Sequence, residues 1–416
     1  MTPVALGPAR FSPGTPSPKS TRHVRLAELA LAVGGFGIGT GEFAIMGLLP
    51  NVSGDIGVSI PAAGHVISAY ALGVVVGAPV IAVLAAKLTR RTLLLALMTV
   101  FAAGNFASAL APDYGWLVVL RFLTGLPHGA YFGVASLVAA SMAPPNQRAR
   151  AVGRVMLGLT VATLLGVPLA TSLGQMLGWR AAFTAVGAIG AVTALLIWRL
   201  VPADAPDAEA SPLRELGALR RPQVWLTLGI GAVGSGGMFA VFSYITPTLV
   251  NVSGIRESLV PFVLCVFGTG MIIGNVVGAR LADRALLPSI GGVLFWNATM
   301  LGLLTLTASH AWLAVINVLL IGTGFALVPA LQTRLMDVAA DAQTLAAALN
   351  HSAFNMANAL GAWLGGLVIA AGYGWTSTGW VGASLALAGL GVFATSLLSD
   401  GALRGRSHRS AAAPAE

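Results

Sequence analysis

Residues 25–50 read RLAELALAVGGFGIGTGEFAIMGLLP, a run that holds Arg25 and Glu28 at its start and then a single further charge, Glu42, among apolar and small residues. A helix needs about 20 consecutive, mostly apolar residues to cross the hydrocarbon of a bilayer. This stretch is long enough. Reading outward from it, eleven more stretches of the same kind follow, near 61–86, 92–111, 116–141, 151–176, 179–200, 223–249, 259–282, 290–308, 311–335, 342–371 and 375–398. The chain of 416 residues is 56% apolar and 9% charged, far from the balance of a soluble domain. The expected fold class is an all-α membrane protein of twelve transmembrane helices in two pseudo-symmetric six-helix bundles.

The remaining sequence is short and polar. Residues 1–24 are rich in Pro and Ser with scattered basic groups, and the stretch behind them has full spanning length, so a cytoplasmic disordered tail is expected rather than a cleaved signal peptide. The one cysteine, Cys265, falls inside an apolar stretch and leaves no disulfide framework or Cys-based metal site to expect. A net charge of +9 raises the question of nucleic acid, but no folded polar domain exists to carry a basic patch. Of the 23 lysines and arginines, all but Arg121, Arg180 and Arg256 fall on one side of the twelve stretches. The positive-inside rule then places both termini in the cytoplasm, with the chain multi-pass in an inner or plasma membrane.

The sequence repeats weakly at an offset of about 197 residues. Pro50 matches Pro247, Gly73 and Gly77 match Gly270 and Gly274, and Asn51-Val52-Ser53-Gly54 recurs as Asn251-Val252-Ser253-Gly254. The expected organisation is an N-terminal bundle over 25–200, a polar cytoplasmic loop over 201–222, a C-terminal bundle over 223–399 and a cytoplasmic tail over 400–416. Two such lobes enclose a site near the bilayer midplane and expose it alternately to either side by rocking.

Among fourteen acidic residues, Glu42 alone lies well inside a stretch. An ionised carboxylate in hydrocarbon costs several kcal/mol, so such a group faces a cavity, finds a cation or carries a proton. The bland alternative is a cap on a helix loosened by Gly37, Gly39 and Gly41. Arg121 is the one basic residue committed to a membrane interior and lies at the depth of Glu42, as a candidate partner. His128 and Phe132 stand at +7 and +11 from Arg121, on the same helical face. His128 is read equally as a proton relay or a packing residue beside Pro127. Position 239 carries Phe where the repeat aligns with Glu42, so proton coupling is assigned to the first half. His351, Asn355 and Asn358 share one stripe of the eleventh stretch and, with Phe239 and Tyr244, are candidate substrate contacts, against the plain alternative of interhelical hydrogen bonding. The Gly73/Gly77 and Gly270/Gly274 pairs read as close helix packing. Gly166 and Pro168, with Gly158 and Gly174, suggest a bend at the bundle interface, a hinge or a seal.

These residues resemble the major facilitator superfamily over about 25–399. Gly278-Ala279-Arg280-Leu281-Ala282-Asp283-Arg284 is similar to its gating loop, which implies that Asp283 contacts a neighbouring helix end and basic loop groups. The first-half copy, Val83-Leu84-Ala85-Ala86-Lys87 with Arg90 and Arg91, lacks the Gly and the Asp. Arg121-Phe122-Leu123-Thr124-Gly125 resembles the element tied to proton transfer in drug/proton antiporters, and Gly158, Gly166 and Pro168 resemble a degenerate antiporter motif. With Gly41-Glu42-Phe43 and Gly47-Leu48-Leu49-Pro50, the pattern is most similar to the twelve-span drug/proton antiporters of the arabinose-efflux and chloramphenicol-efflux-like branch. The resemblance implies export of a small organic solute by proton antiport. A monomer that draws on the proton gradient and needs no cofactor is expected. Uptake by symport is the alternative in the same fold. A channel lacks the rings of charges or carbonyls that a filter needs. An enzyme is not expected, since neither a Gly-x-x-x-x-Gly-Lys-Ser/Thr loop nor His-Glu-x-x-His occurs.

Overall fold

The computed structural model describes residues 21–84, 88–144, 147–203, 219–339 and 343–411. Most of the amino-terminal tail, the middle of the loop read over 201–222, the last five residues and the Ala85-Ala86-Lys87 part of the first-half loop signature lie outside the described residues. Within them the chain is helical, with no strand. Lipid offers backbone N–H and C=O groups no partner, and the helix satisfies them within one segment.

Helix α1 runs over Thr21–Gly47 and breaks at Leu48 before the short α2, Leu49–Ile56, which Gly57 ends in a left-handed conformation at φ 75°. Helices α3 (Ile60–Leu84), α4 (Arg90–Ala109) and α5 (Tyr114–Met142) follow. Thr89 and Asp113 cap the latter two by accepting from the N–H groups of Thr92 and Trp116. Helix α6 (Arg148–Val161) passes through a single π turn, Ala162–Gly166, into α7 (Val167–Leu177), with Pro168 in the first turn of α7. Proline cannot supply its N–H to the ladder, and the wider turn before it absorbs the mismatch. After α8 (Trp179–Leu200), the second half begins with three consecutive helical pieces, α9 (Pro222–Gly234), α10 (Gly236–Ser243) and α11 (Ile245–Asn251), broken at Ser235 and Tyr244. Then come α12 (Val260–Thr307), α13 (Ala311–Thr323), α14 (Leu327–Ala339), α15 (Gln343–Ala370) and α16 (Ser377–Ala411).

Among the described residues eleven helical segments are long and apolar enough to cross a bilayer, where hydropathy alone marked twelve stretches. The difference is one segment of 51 residues, Glu257–Thr307. At 1.5 Å per residue it measures about 76 Å, more than twice the ~30 Å hydrocarbon thickness. The stretches 259–282 and 290–308 are joined in it by a kink, not a loop. Ala285 leaves helical geometry (φ −158°, ψ 82°), three residues before Pro288. The end of α16 likewise continues as helix to Ala411, past the boundary at 399 read from hydropathy.

Small residues decide which helices touch. A Cβ on Gly73 would lie 2.1 Å from the Phe122 carbonyl oxygen, and one on Gly270 would lie 2.2 Å from that of Leu319. The repeated glycine pairs therefore seat α3 on α5 and α12 on α13 in the same way, the close backbone approach expected of small-xxx-small pairs. Between the halves, α3 packs on α15, and α12 packs on α7 and the π turn.

Candidate functional site

A cavity of about 230 Å³ opens between the halves, with walls from α1, α5 and α6 on one side and α10, α12, α14 and α15 on the other. Met156, Gln332 and Asn350 carry it toward the helix ends near Arg148, Ala339 and Gln343. Its apolar wall includes Phe43, Phe239, Phe325 and Phe354; its polar wall includes Glu42, His128, His351 and Asn355. Phe43 and Phe239 stack with centroids 6.3 Å apart, so the residue aligned with Glu42 by the repeat lies beside Glu42's own neighbour.

Glu42 sits inside continuous helix, not at a cap. The glycines before it serve packing: side chains on Gly37, Gly39 and Gly41 would collide with Ile189, Leu159 and Val186. The carboxylate is 5% exposed and reaches both halves of the molecule. One oxygen accepts from Asn358 Nδ2 of α15 at 3.3 Å, and the other lies 4.0 Å from His128 Nδ1 of α5. His128 Nδ1 also lies 3.1 Å from the hydroxyl of Tyr70, with the direction of that bond set by the tautomer. Glu42, His128 and Tyr70 thus form a short polar chain leading from the cavity into the first half.

Arg121 is fully buried and adjoins this chain without an ion pair to Glu42. Its Nη2 donates to the carbonyl oxygen of Gly41 at 2.8 Å, and its guanidinium lies over the rings of Tyr70 (4.2 Å) and Phe183 (5.1 Å). The direct pairing suggested by their common depth is replaced by a backbone acceptor and two aromatic faces, which satisfy the cation partly and leave Nε and Nη1 unpartnered. A cation held this way still acts on Glu42 through a medium of low dielectric.

Phe132, two helical turns from Gly125, joins the halves by ring contacts. It lies 5.3 Å from His128 and stacks on His351 of α15 at 5.5 Å with planes 9° apart. On the same stripe Asn355 Nδ2 donates to the His351 carbonyl, and the Oδ1 atoms of Asn355 and Asn358 are buried without a partner. Buried orphaned acceptors at a cavity are places where a ligand or water can bind.

Tyr244 lies outside the cavity wall. Its hydroxyl donates to the Ala362 carbonyl at 2.7 Å, and the ring end fills space left by Gly64 of α3 and Gly366 of α15. It belongs to a closed end where hydrogen bonds tie the halves together. Thr246 donates to the carbonyls of Met46 and Gly47, Asn51 Nδ2 to the Glu257 carboxylate, and Gln175 to the Glu257 carbonyl. Nearby, Arg180 and Trp179 donate to Asp55 and hold its carboxyl below the usual aspartate range.

The candidate gating residues separate into two places. A side chain on Gly278 would strike the Ala326 carbonyl, so this glycine seats α12 against the 3-10 turn Gly324–Ala326 that leads into α14, while Asp283 and Arg284 are exposed just before the kink at Ala285. Gly166 faces Thr40 and Phe36 of α1 within the first half. The contact across the halves is made by α7 and by Thr163 at the other end of the same π turn, where a Cβ on Gly268 of α12 would lie 2.5 Å from the Thr163 carbonyl.

Several site residues escaped the sequence. Tyr70 reads as one more apolar-stretch aromatic, and Asn275 and Gln332 as isolated polar residues without a shared stripe. Glu28 counted as a helix-end acid, yet it is 2% exposed and accepts two 2.7 Å hydrogen bonds from Arg154.

The profile of the Major Facilitator Superfamily matches residues 31–344. The chain is 43% identical over 359 residues to the inner membrane transport protein YdhP of Escherichia coli (strain K12), covering 86% of this chain and 92% of that one. It is 35% identical over 346 residues to a chloramphenicol resistance protein of Streptomyces lividans, covering 80% and 86%. In fold it is similar to the crystal structure of the nucleoside transporter NupG, with TM-score 0.70 at 13% identity over 89% of this chain and 99% of that one. Helices that span a membrane, a cavity at the join of two halves and this similarity across most of the chain lead to one assignment: the protein belongs to the Major Facilitator Superfamily, within its drug- and sugar-efflux-like branch, and is a membrane transporter of small molecules, not an enzyme.

Proposed function

We propose that this protein exports a small organic solute by proton antiport through alternating access. In this reading the kinked segment Glu257–Thr307 counts as two spans, giving twelve in two six-helix bundles. The end rich in arginine faces the cytoplasm and both termini lie there. The cavity then opens inward, the end sealed around Tyr244, Thr246 and Glu257 faces outward, and the chain works as a monomer with the proton gradient as its energy source.

Glu42 carries the reading. It is the carboxylate on the cavity wall, and it is bound at once by Asn358 from one half and approached by His128 from the other. A proton gained or lost there alters the bond to Asn358, and with it the preference of the halves for one packing over another. A solute that displaces the proton, or is displaced by it, links the two fluxes through this single group. Arg121 supplies a fixed positive charge that makes the deprotonated form accessible, and His128 with Tyr70 offers the proton a path. Phe239, His351 and Asn355 contact the solute, while Tyr244 acts on access through the seal. Gly278, Asp283, Arg284 and the segment around Gly166 and Pro168 serve the movement of the halves. The cavity combines phenyl faces with scattered amides, which suits a neutral solute with both ring and hydroxyl groups. The drug and sugar cargoes named for relatives are therefore the first to test.

The direct test uses inside-out vesicles with an imposed pH gradient. Glu42→Gln should insert and melt like wild type while gradient-driven accumulation is lost. Unchanged accumulation in that variant removes Glu42 from the coupling step. Uptake of the same solute by intact cells, driven by an inward proton gradient, would reverse the assigned direction.

A further inference from the structure

A groove of about 690 Å³ runs between α1 and α6, separate from the solute cavity. Met156, Leu159 and Thr160 of α6 line the cavity, whereas Arg154, Leu157 and Val161 line the groove, on the opposite side of the same helix. The groove wall is apolar and open: Leu29 is 58% exposed and Leu157 is 55% exposed. In a membrane-spanning chain, lipid and not water covers such a face. Gly158 shapes the floor, because a Cβ there would lie 1.9 Å from the Ala32 carbonyl, so the two helices meet closely below a channel bounded by larger side chains.

One end of this channel is charged. Glu28 is buried, and both its oxygens are taken by Nε and Nη2 of Arg154, which leaves Nη1 outside the pair. Arg25, three residues before Glu28, lines the same groove. Two guanidiniums against one carboxylate give the mouth an excess of one positive charge. From Arg25 to Phe36 the groove follows α1 for about 16 Å at 1.5 Å per residue, close to half of a ~30 Å hydrocarbon layer. Charge therefore sits at headgroup depth, and apolar wall extends through a single leaflet.

We propose that this groove is a binding site for an anionic phospholipid. Its phosphate lies on Arg25 and Arg154, and an acyl chain lies along Leu29, Phe36 and Leu157. Guanidinium groups match phosphate oxygens in geometry as well as charge, and basic pockets between membrane helices select anionic headgroups. A zwitterionic headgroup brings its own cation to the arginines and gains less.

The test titrates the full-length purified protein with phosphatidylglycerol and with phosphatidylethanolamine of the same acyl chains, counting bound lipid by native mass spectrometry. Wild type should retain phosphatidylglycerol in preference. Arg25→Ala should weaken it about fivefold and Arg25→Glu about 30-fold, at roughly 1 kcal/mol per basic group, with phosphatidylethanolamine unchanged. Leu157→Trp, which fills the groove and keeps both arginines, should also reduce retention, and it decides the matter if the Arg25 variants do not fold. Equal retention of the two lipids by wild type, or undiminished phosphatidylglycerol binding in Arg25→Glu and Leu157→Trp, would overturn the proposal. So would displacement of the lipid by millimolar inorganic phosphate, which would reduce the site to a simple anion site.

Discussion

Replacing Gly64 by Ala should open the sealed end of the transporter. A Cβ at this position would lie 2.1 Å from the Tyr244 hydroxyl oxygen and 3.0 Å from the ring carbon that bears it. Tyr244 has no room to retreat: it is fully buried, its hydroxyl donates to the Ala362 carbonyl, and Gly365 and Gly366 press on its other side. Overpacking of this kind costs about 1–3 kcal/mol after relaxation. Gly64 belongs to the first half and Tyr244 to the second, so the cost falls only on the arrangement in which the two halves meet at this end. The ratio of sealed to open molecules should drop by roughly 5-fold to 150-fold. Gly366 supplies the control, because its Cβ would meet the same hydroxyl at 2.4 Å from within the second half. Gly366→Ala should cost stability in both arrangements and leave their ratio near the wild-type value. Nitroxide labels on Gly54→Cys and Asn251→Cys, in a Cys265→Ser background, report the distance across this end by pulsed electron resonance. A distance distribution for Gly64→Ala that matches wild type, or one that Gly366→Ala reproduces, would refute the idea that Tyr244 acts as a cross-half latch.

Three further outcomes follow from the same packing. Arg154→Ala leaves the buried Glu28 carboxylate without its two donors and should cost about 3 kcal/mol of stability, less whatever solvent screens at the half-exposed arginine; most of this should return in the Glu28→Gln/Arg154→Ala double variant, read by thermal melting in detergent. Phe132→Leu removes the ring between His128 and His351 and should raise the KM for the solute severalfold with little effect on melting, whereas an unchanged KM would detach this stack from the site. Asp55 has a folded pKa held below its ordinary value of about 3.9 by Arg180 and Trp179, so its contribution is present above that value and is lost as pH falls through the lower folded one. Because both groups are about half exposed, Asp55→Asn should lower stability at neutral pH by less than about 1 kcal/mol and flatten the acid limb of a melting-versus-pH curve, so that variant and wild type converge at acid pH.

Hydropathy, run length and charge asymmetry determined by themselves that this chain is a bundle of membrane helices, because a hydrocarbon solvent tolerates few alternatives for a backbone. The 197-residue repeat foretold the matching glycine contacts of α3 with α5 and of α12 with α13, and the lone charges inside apolar stretches marked Glu42, Arg121 and His128 as neighbours. Local composition could not show that a 51-residue segment bends at Ala285 without a loop, since a kink needs no polar residues. Nor could it show which atoms meet. Arg121 turns to the Gly41 carbonyl and two rings, Glu42 to Asn358 some 316 positions away, and Tyr244 to the seal instead of the cavity. Sequence records what each residue can offer in hydrocarbon, but partners hundreds of positions apart are chosen only when the two halves pack, and that choice belongs to the tertiary structure.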